Sequence, residues 1–418
     1  MKNLFMYLML WILAFNLVSC DDNNNNPVQP NGDSNLWGTT YYHANLGAYP
    51  DIYSKYWVYA YNITENPNIG LRLTGAYPEA RFFSFSIYND LKGEVIDGLD
   101  DVNISPDDGS INPYTVTTNS TNNKFTIYIV KEGTDISLLK NANAENVCYF
   151  NDVVECMSIC LRQYLGEGEY GGVDLPTIEG VDLTTGAIVD APKAVVSMAT
   201  IMKDGNFVPL ASDQSTEVPF LLSPRGEYFP NNSTDYLYCR TQLTTDDVLT
   251  FSFIPAPIPT CVEEYRGAKA RYWSICIGSV MNTYSYCSFY DRMLEYKDGE
   301  KITVAIISAN NAKLADVKKA MENIPYSYLM EWDEERLDNQ GRKISDIITV
   351  LYRNILPDTT WQYSMSTMTP TPYGDPYNSI TDPDKQVAHR ALGNYAPLGK
   401  KHKTDEFLQL YKDTNPSR

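Results

Sequence analysis

A cluster of side-chain carboxylates lies between residues 97 and 114. Two carboxylates here, Asp101 and Asp107, could act as the acid pair of a glycoside hydrolase. A calcium ion could also use this segment, although Pro106 and Asn112 stand where an EF-hand loop needs its glycine and its bidentate glutamate. The oxygen ligands for calcium would come from alternate positions: Asp101, Asn103, Ser105 and Asp107. We favour a third interpretation, in which the segment is a solvated loop with Asx turns.

Four arginines stand in segments that are otherwise apolar or aromatic. An arginine in such a setting needs a partner, because an unpaired buried charge is strongly unfavourable. We expect a structural ion pair or a clamp on backbone carbonyl groups. The alternative is a polar cleft in which the arginines bind an anionic or hydroxyl-rich ligand. The four are Arg81, Arg162, Arg271 and Arg353.

Other catalytic arrangements find little support in the sequence. The chain has three histidines, and a Ser-His triad would have to use His43 or His389. No Gly-x-Ser-x-Gly motif and no phosphate-binding glycine-rich loop is present. The sequence therefore favours a protein that binds rather than catalyses, with no cofactor expected apart from the calcium alternative.

Eight cysteines are present, and we assign Cys20 to lipid attachment, as argued below. A zinc site is disfavoured, because histidines are few and no Cys-x-x-Cys motif occurs. The first disulfide candidate joins Cys276 and Cys287, which stand at the two ends of an expected hairpin. The second joins Cys239 and Cys261. An odd number of remaining cysteines leaves at least one thiol free.

The elements that must position these side chains are mainly β-strands. The chain has 32 tyrosines, 14 phenylalanines and 6 tryptophans, residue types that suit strands. Short apolar and aromatic runs alternate with turn residues, and helices are expected only near residues 312–322 and 405–412. The formal charge of −19 argues against nucleic acid as a partner, because binding it needs a basic surface.

Three phrases occur twice in the same order. Their outer spacing also agrees: the interval from Arg81 to Arg162 matches that from Arg271 to Arg353 within one residue. We therefore predict two tandem, related, antiparallel β-sandwich-like modules, over residues 38–215 and 216–418. The phrase pairs are Arg81–Ile87 with Arg271–Ile277, Phe125–Ile127 with Ile302–Val304, and Ser158–Leu165 with Thr349–Leu356.

The N-terminus predicts a secreted and anchored protein. Residues 1–19 combine a basic start with an apolar run that is short for a membrane span. Leu17-Val18-Ser19-Cys20 resembles the lipobox of bacterial lipoproteins, in which the cysteine is acylated. Residues 20–37 are polar and read as a disordered tether. The acidic residues after Cys20 resemble the surface-export signal of Bacteroidota lipoproteins, which implies the outer membrane and the cell surface; a periplasm-facing lipoprotein is the alternative.

Phrases through most of the chain resemble secreted bacterial proteins of unknown function with β-sandwich character. The resemblance implies the β fold and supports the hairpin that carries Cys276 and Cys287. No established activity comes with it, so no catalytic residue is carried over. The phrases are Ala80–Asn89, Asp107–Tyr114, Arg271–Ser274, Leu351–Pro357 and Gly393–Gly399.

These observations lead to three functional hypotheses. The first is a surface-exposed lipoprotein that binds a ligand, with a glycan as the class considered first because aromatic rings stack on sugars. The second is a carbohydrate hydrolase acting through loop 97–114. The third is a structural subunit of a cell-envelope complex. In each case the lipid bilayer is a partner through the N-terminal acyl chains.

Overall fold

The computed structural model of the chain describes residues 36–43, 46–201, 216–224, 229–280, 283–337, 343–371 and 380–412. The expected signal peptide, the lipid site at Cys20 and the tether up to residue 35 lie outside these residues, as does the expected module end at residue 215. Trp37, counted with the tether, is buried against Phe85 and so belongs to the packed protein. No helix among the described residues is both long enough and apolar enough to cross a membrane.

The first module forms two sheets from the strands that precede residue 200. The inner sheet has the strand order β1-β7-β3-β4, and the outer sheet has the order β6-β5-β2-β8-β9. The strands are β1 (Ser54–Asn62), β2 (Ile69–Ala76), β3 (Phe82–Asn89), β4 (Glu94–Asp100), β5 (Lys124–Lys131), β6 (Val147–Phe150), β7 (Cys156–Tyr164), β8 (Thr177–Asp182) and β9 (Ile188–Val189).

The second module repeats this plan with the strands that follow residue 216. Its inner sheet has the order β11-β12-β18-β14-β15, and its outer sheet has the order β10-β19-β13-β16-β17. The strands are β10 (Glu217–Pro219), β11 (Leu221–Leu222), β12 (Thr234–Gln242), β13 (Asp247–Phe253), β14 (Tyr272–Ser279), β15 (Ser285–Tyr290), β16 (Ile302–Ser308), β17 (Ser327–Trp332), β18 (Ile347–Ile355) and β19 (Leu398–Lys403).

The two modules share their sheet topology, so the expectation of two related β-sandwich-like modules is confirmed. In the inner sheets β1, β7, β3 and β4 correspond to β12, β18, β14 and β15. Register agrees as well: Arg162 pairs with Tyr56 and Ser84, and Arg353 pairs with Tyr236 and Ser274. Each module also has one parallel pair, β5 with β6 and β16 with β17, inside an otherwise antiparallel arrangement.

Each module buries its own core between its two sheets. Side chains alternate along a strand, so one face of every inner strand can be apolar. In the first module Trp57 and Phe85 of the inner sheet pack with Leu71 of the outer sheet. In the second module Trp273 and Val350 play the same part against Val304. The opposite faces of the two inner sheets carry the polar residues considered below.

Helices are short and lie outside the sheets. The two helices expected from the sequence are present as α2 and α5, and Val317 and Met321 of α2 are buried on its apolar face. The α-helices are α1 (Met198–Ile201), α2 (Leu314–Met321), α3 (Pro383–Gln386), α4 (Ala388–Leu392) and α5 (Thr404–Lys412), and the 3-10 turns are Ile136–Leu138, Ala144–Asn146, Val262–Gly267, Met365–Thr367 and Gly393–Tyr395.

The expected disulfides are not formed, and the seven cysteines of the described residues are free thiols. The hairpin of β14 and β15 exists, but Cys287 lies opposite Ile277, whereas Cys276 lies opposite Ser288. Neighbouring residues of a strand point to opposite faces, so the thiols of Cys276 and Cys287 lie on different sides of the sheet. Cys239 is buried in the second core, whereas Cys261 is exposed.

Candidate functional site at the interface of the modules

The inner sheets of the two modules contact each other through the faces turned away from their cores. A mainly aromatic cluster forms one part of this interface, with Phe82 and Tyr164 from the first module and Tyr272 and the aliphatic Ile355 from the second. The rings of Tyr164 and Tyr272 have centroids 5.4 Å apart. The interface therefore has a buried apolar part around which polar groups are arranged.

Arg81 and Arg271, which the repeat makes equivalent, form ion pairs across this interface. Arg271 donates to Asp101 of the first module at 3.1 Å, and both side chains are completely buried. Arg81 lies 3.7 Å from Asp291 of the second module and donates to the Arg271 carbonyl oxygen at 3.0 and 2.8 Å. The expected ion pairs therefore exist, but each arginine pairs with the other module.

The two acceptors, Asp101 and Asp291, are equivalent residues just after β4 and β15. Asp101 accepts from the Phe83 amide at 3.1 Å, and Asp291 accepts from the Trp273 amide at 3.2 Å. Complete burial raises the pKa of Asp101 to about 7, although Arg271 opposes the shift. Burial likewise raises the pKa of Asp291, against the effect of Arg81.

Arg162 and Arg353, the second equivalent pair, clamp backbone carbonyl groups. Arg162 donates to the carbonyl oxygen of Phe229 at 2.9 Å, and Arg353 donates to that of Tyr49. Each acceptor belongs to the opposite module, where Phe229 precedes β12 and Tyr49 precedes the equivalent strand β1. Tyr49 and Phe229 have φ values of +54° and +52°, which non-glycine residues seldom adopt. The same unusual backbone in both copies turns each carbonyl toward an arginine of the other module.

Asp51 connects the Tyr49 loop to the second module. Its carboxylate accepts from the Ser274 hydroxyl at 2.5 Å and from the Tyr272 hydroxyl at 3.1 Å. The Arg353 guanidinium lies 3.7 Å from the same carboxylate oxygen and also donates to the Cys276 sulfur at 2.5 Å. Arg353 therefore has a carboxylate, a carbonyl and a thiol around it.

A cavity of about 70 Å³ lies in the interface next to Arg162 and Arg353. The two arginines are the charged residues of its wall, and aromatic and aliphatic residues make up most of the remainder. This volume would hold a few waters or a small organic group. The other wall residues include Tyr49, Tyr56, Val58, Cys160, Tyr164, Ala199, Ser223, Phe229, Tyr236 and Leu351.

The acidic segment 97–114 differs from the solvated loop that we favoured. Asp101 is completely buried, and Asn112 donates to the backbone oxygens of Asp101 and Ile104 at 2.7 and 2.8 Å. Tyr114 is buried as well and donates to the Pro78 carbonyl at 2.6 Å. Buried apolar and amide side chains fix this segment on the core, which a count of carboxylates does not reveal.

The oxygen ligands proposed for calcium have separate protein partners. Asp101 faces Arg271, Asn103 donates to Asp100, Ser105 donates to Glu145, and Asp107 accepts from Thr126. No group of three or more His, Cys, Asp or Glu side chains that could hold a metal ion occurs within the described residues. Because Asp101 is completely buried against Arg271, a substrate has no access to the Asp101–Asp107 acid pair proposed for a hydrolase.

Four residues that complete the site were not predicted from the sequence: Tyr49, Asp51, Phe229 and Asp291. Alignment of the two repeats contains a signal for them, because Tyr49 and Phe229 precede the equivalent residues Tyr56 and Tyr236 by the same interval. Asp291 could have been found in the same way, as the second copy of Asp101.

Comparisons with known proteins give distant structural similarity. No protein-family model matches the chain, and no curated protein matches it. The crystal structure of an uncharacterised Burkholderia cenocepacia protein is similar, with a TM-score of 0.47 and 10% identity over 88% of this chain and 81% of that chain. A Vibrio parahaemolyticus protein gives a TM-score of 0.41 and 9% identity over 86% of this chain and 92% of that one. These values support no conclusion about activity or ligand.

Proposed function

We propose that the protein is a membrane-anchored binding protein that holds a small polar ligand in the cavity between its modules. The observation that supports this proposal is the cavity wall, which combines the guanidinium groups of Arg162 and Arg353 with aromatic rings. Mostly apolar walls with a few fixed polar groups are typical of ligand sites, and such sites favour domain interfaces.

The arginines are held before any ligand arrives. Arg162 and Arg353 are 5% and 1% exposed, and carbonyl groups from the opposite module fix both guanidinium groups. A rigid donor loses little conformational freedom when it binds, which favours affinity. Binding without catalysis agrees with the buried state of Asp101.

A cavity-filling substitution tests this proposal. In Val58→Phe the larger side chain should occupy the cavity and abolish the stabilisation that a bound ligand gives to the fold. Thermal unfolding of the wild-type protein and the variant should be measured with a panel of monosaccharides, amino acids and short carboxylates. At least one compound should raise the unfolding temperature of the wild-type protein alone.

Ile188→Phe is the matched control, because Ile188 is an exposed residue of β9. It should respond to the panel as the wild-type protein does. The proposal fails if no compound stabilises the wild-type protein, or if the stabilisation is the same in Val58→Phe.

The anchoring part of the proposal concerns Cys20, outside the described residues. Acylation of this residue would hold the modules at the outer membrane, facing the cell surface or the periplasm. In Cys20→Ser the protein should leave the membrane fraction, and metabolic labelling with palmitate should be lost. Protease treatment of intact cells then separates the two faces, since only a surface protein is cleaved.

A second candidate, glycan binding at the surface, is favoured by a group of half-buried rings formed by Trp361, Tyr363 and Tyr395. Tyr363 and Tyr395 stack with centroids 4.3 Å apart, and Trp361 meets Tyr395 edge-on at 5.1 Å. Oligosaccharide binding on a carbohydrate array should be lost in Trp361→Ala. It should persist in Tyr149→Ala, which removes a half-buried ring in the first module.

A further inference from the structure

The two modules differ in charge at one pair of equivalent positions in their interface. The repeat makes Asn231 the equivalent of Asp51, and the two loops are built alike. The Asp51 carboxylate accepts from the Tyr53 amide at 2.9 Å, and the Asn231 side-chain oxygen accepts from the Ser233 amide at 3.1 Å. One loop therefore brings a carboxylate to the interface, and the other brings a neutral amide.

This difference leaves Arg162 with a different environment from that of Arg353. Arg162 donates to the hydroxyl of Ser86 at 2.8 Å, to that of Tyr88 at 2.5 Å and to the Phe229 carbonyl at 2.9 Å, all neutral groups. No carboxylate of the described residues contacts its guanidinium group. Because Arg162 is almost fully buried, water does little to compensate its charge.

Two further polar groups, at the positions equivalent to Ser274 and Asp51, lack partners among the described residues. They are the Ser84 hydroxyl and the side-chain nitrogen of Asn231, which belong to residues that are 0% and 2% exposed. Their equivalents, Ser274 and Asp51, bond to each other. Register places Ser84 directly beside Arg162 on the neighbouring strand. Buried polar groups without partners are uncommon and call for an explanation.

We infer that the cavity takes a monocarboxylate, or the carboxylate end of a longer ligand, whose charge is held by Arg162. The inference rests on the proposed function and adds the chemical class of the ligand. Asp51 offsets the charge of Arg353, so the cavity wall retains one uncompensated positive charge. A single carboxylate matches that charge, and it would accept from the N–H groups of the guanidinium that Ser86, Tyr88 and Phe229 leave free. The rings of Tyr56 and Tyr236 in the wall suit a short apolar tail.

Acetate and acetamide test the inference, because they share a shape and differ in charge. Calorimetry with the full-length wild-type protein should show acetate binding more tightly than acetamide by at least about tenfold. Inorganic phosphate should bind less well than acetate, because its larger charge is not matched. Asn231→Asp should supply the missing carboxylate from the protein itself. It should therefore raise the unfolding temperature without ligand and weaken acetate binding by at least about tenfold.

Asn68→Asp adds the same charge at an exposed position and should leave acetate binding unchanged. Arg162→Gln should also lose acetate binding. If Arg162→Gln does not fold, Asn231→Asp still tests the inference. Equal binding of acetate and acetamide, or acetate binding that Asn231→Asp leaves unchanged, overturns the inference. If other compounds of the panel then still depend on Val58, the proposed function stands without it. If nothing binds, both are wrong.

Discussion

Buried charges dominate the interface at the scale of single residues. Arg81 and Arg271 each find a carboxylate in the other module, whereas Arg162 is held by neutral acceptors. Removing one partner of a buried pair leaves the other uncompensated and destabilises by about 3–5 kcal/mol. The same burial opposes ionisation of the acids, which makes the stability of the fold depend on pH.

Asp101 gives the clearest pH prediction. Its pKa in the folded protein is raised to about 7, above the value of about 3.9 for an unfolded aspartate. The folded state therefore keeps a proton that the unfolded chain has released, and this group lowers the free energy of unfolding as pH rises from about 4 to about 7. In Asp101→Asn that decrease should become shallower.

Urea unfolding at several pH values in this window measures the effect of Asp101. Asp108→Asn is the control, because Asp108 is exposed in the same segment. Equal slopes in the wild-type protein and Asp101→Asn would contradict the prediction. Some slope should remain in the variant, because burial also raises the pKa of Asp100 and Asp291.

At the scale of elements, the sequence predicted the mainly β class and the repeat. Strand β18 is instructive, because Ile344, Ile347, Ile348, Leu351 and Ile355 also fit a helical period. Its likeness to β7 correctly indicated a strand. Repeated phrases carry fold information that local periodicity lacks, since the two copies must adopt the same structure.

Register was beyond prediction, and the Cys276–Cys287 candidate failed for that reason. A slip of one residue moves a side chain to the other face, and sequence spacing does not fix it. The arginines were correctly identified as residues that need partners, but pairing across modules depends on how two separately folded sandwiches contact each other. Local sequence holds no signal for that contact.

The free thiols give a prediction at this scale. The protein, unfolded without reductant, should react with iodoacetamide at all seven cysteines of the described residues. In the folded state Cys261 should react first because it is exposed, whereas Cys148, Cys160, Cys239 and Cys276 should be protected. Mass spectrometry of peptides gives the sites, and a Cys276–Cys287 crosslinked peptide would contradict the register described here.

At the scale of the whole molecule, the crossed contacts couple the stability of the two modules. An isolated module would expose the aromatic face around Tyr164 or Tyr272 and leave its interface arginines without partners. We therefore expect residues 36–412 to unfold in one calorimetric transition, and either module expressed alone to be markedly less stable. Two transitions that match those of separate, stable modules would show that the interface contributes little.

The crossed arrangement also bears on how the chain can diverge. Two copies of a single module joined by the same contacts would form a symmetric dimer, in which one gene supplies both sides of the interface. Such a dimer must carry the same residue at both loop positions, either aspartate twice or asparagine twice. Joining the copies in one chain removes that restriction. Asp51 and Asn231 can then diverge separately: Asp51 offsets the charge of Arg353, whereas Asn231 leaves the charge of Arg162 for the proposed ligand.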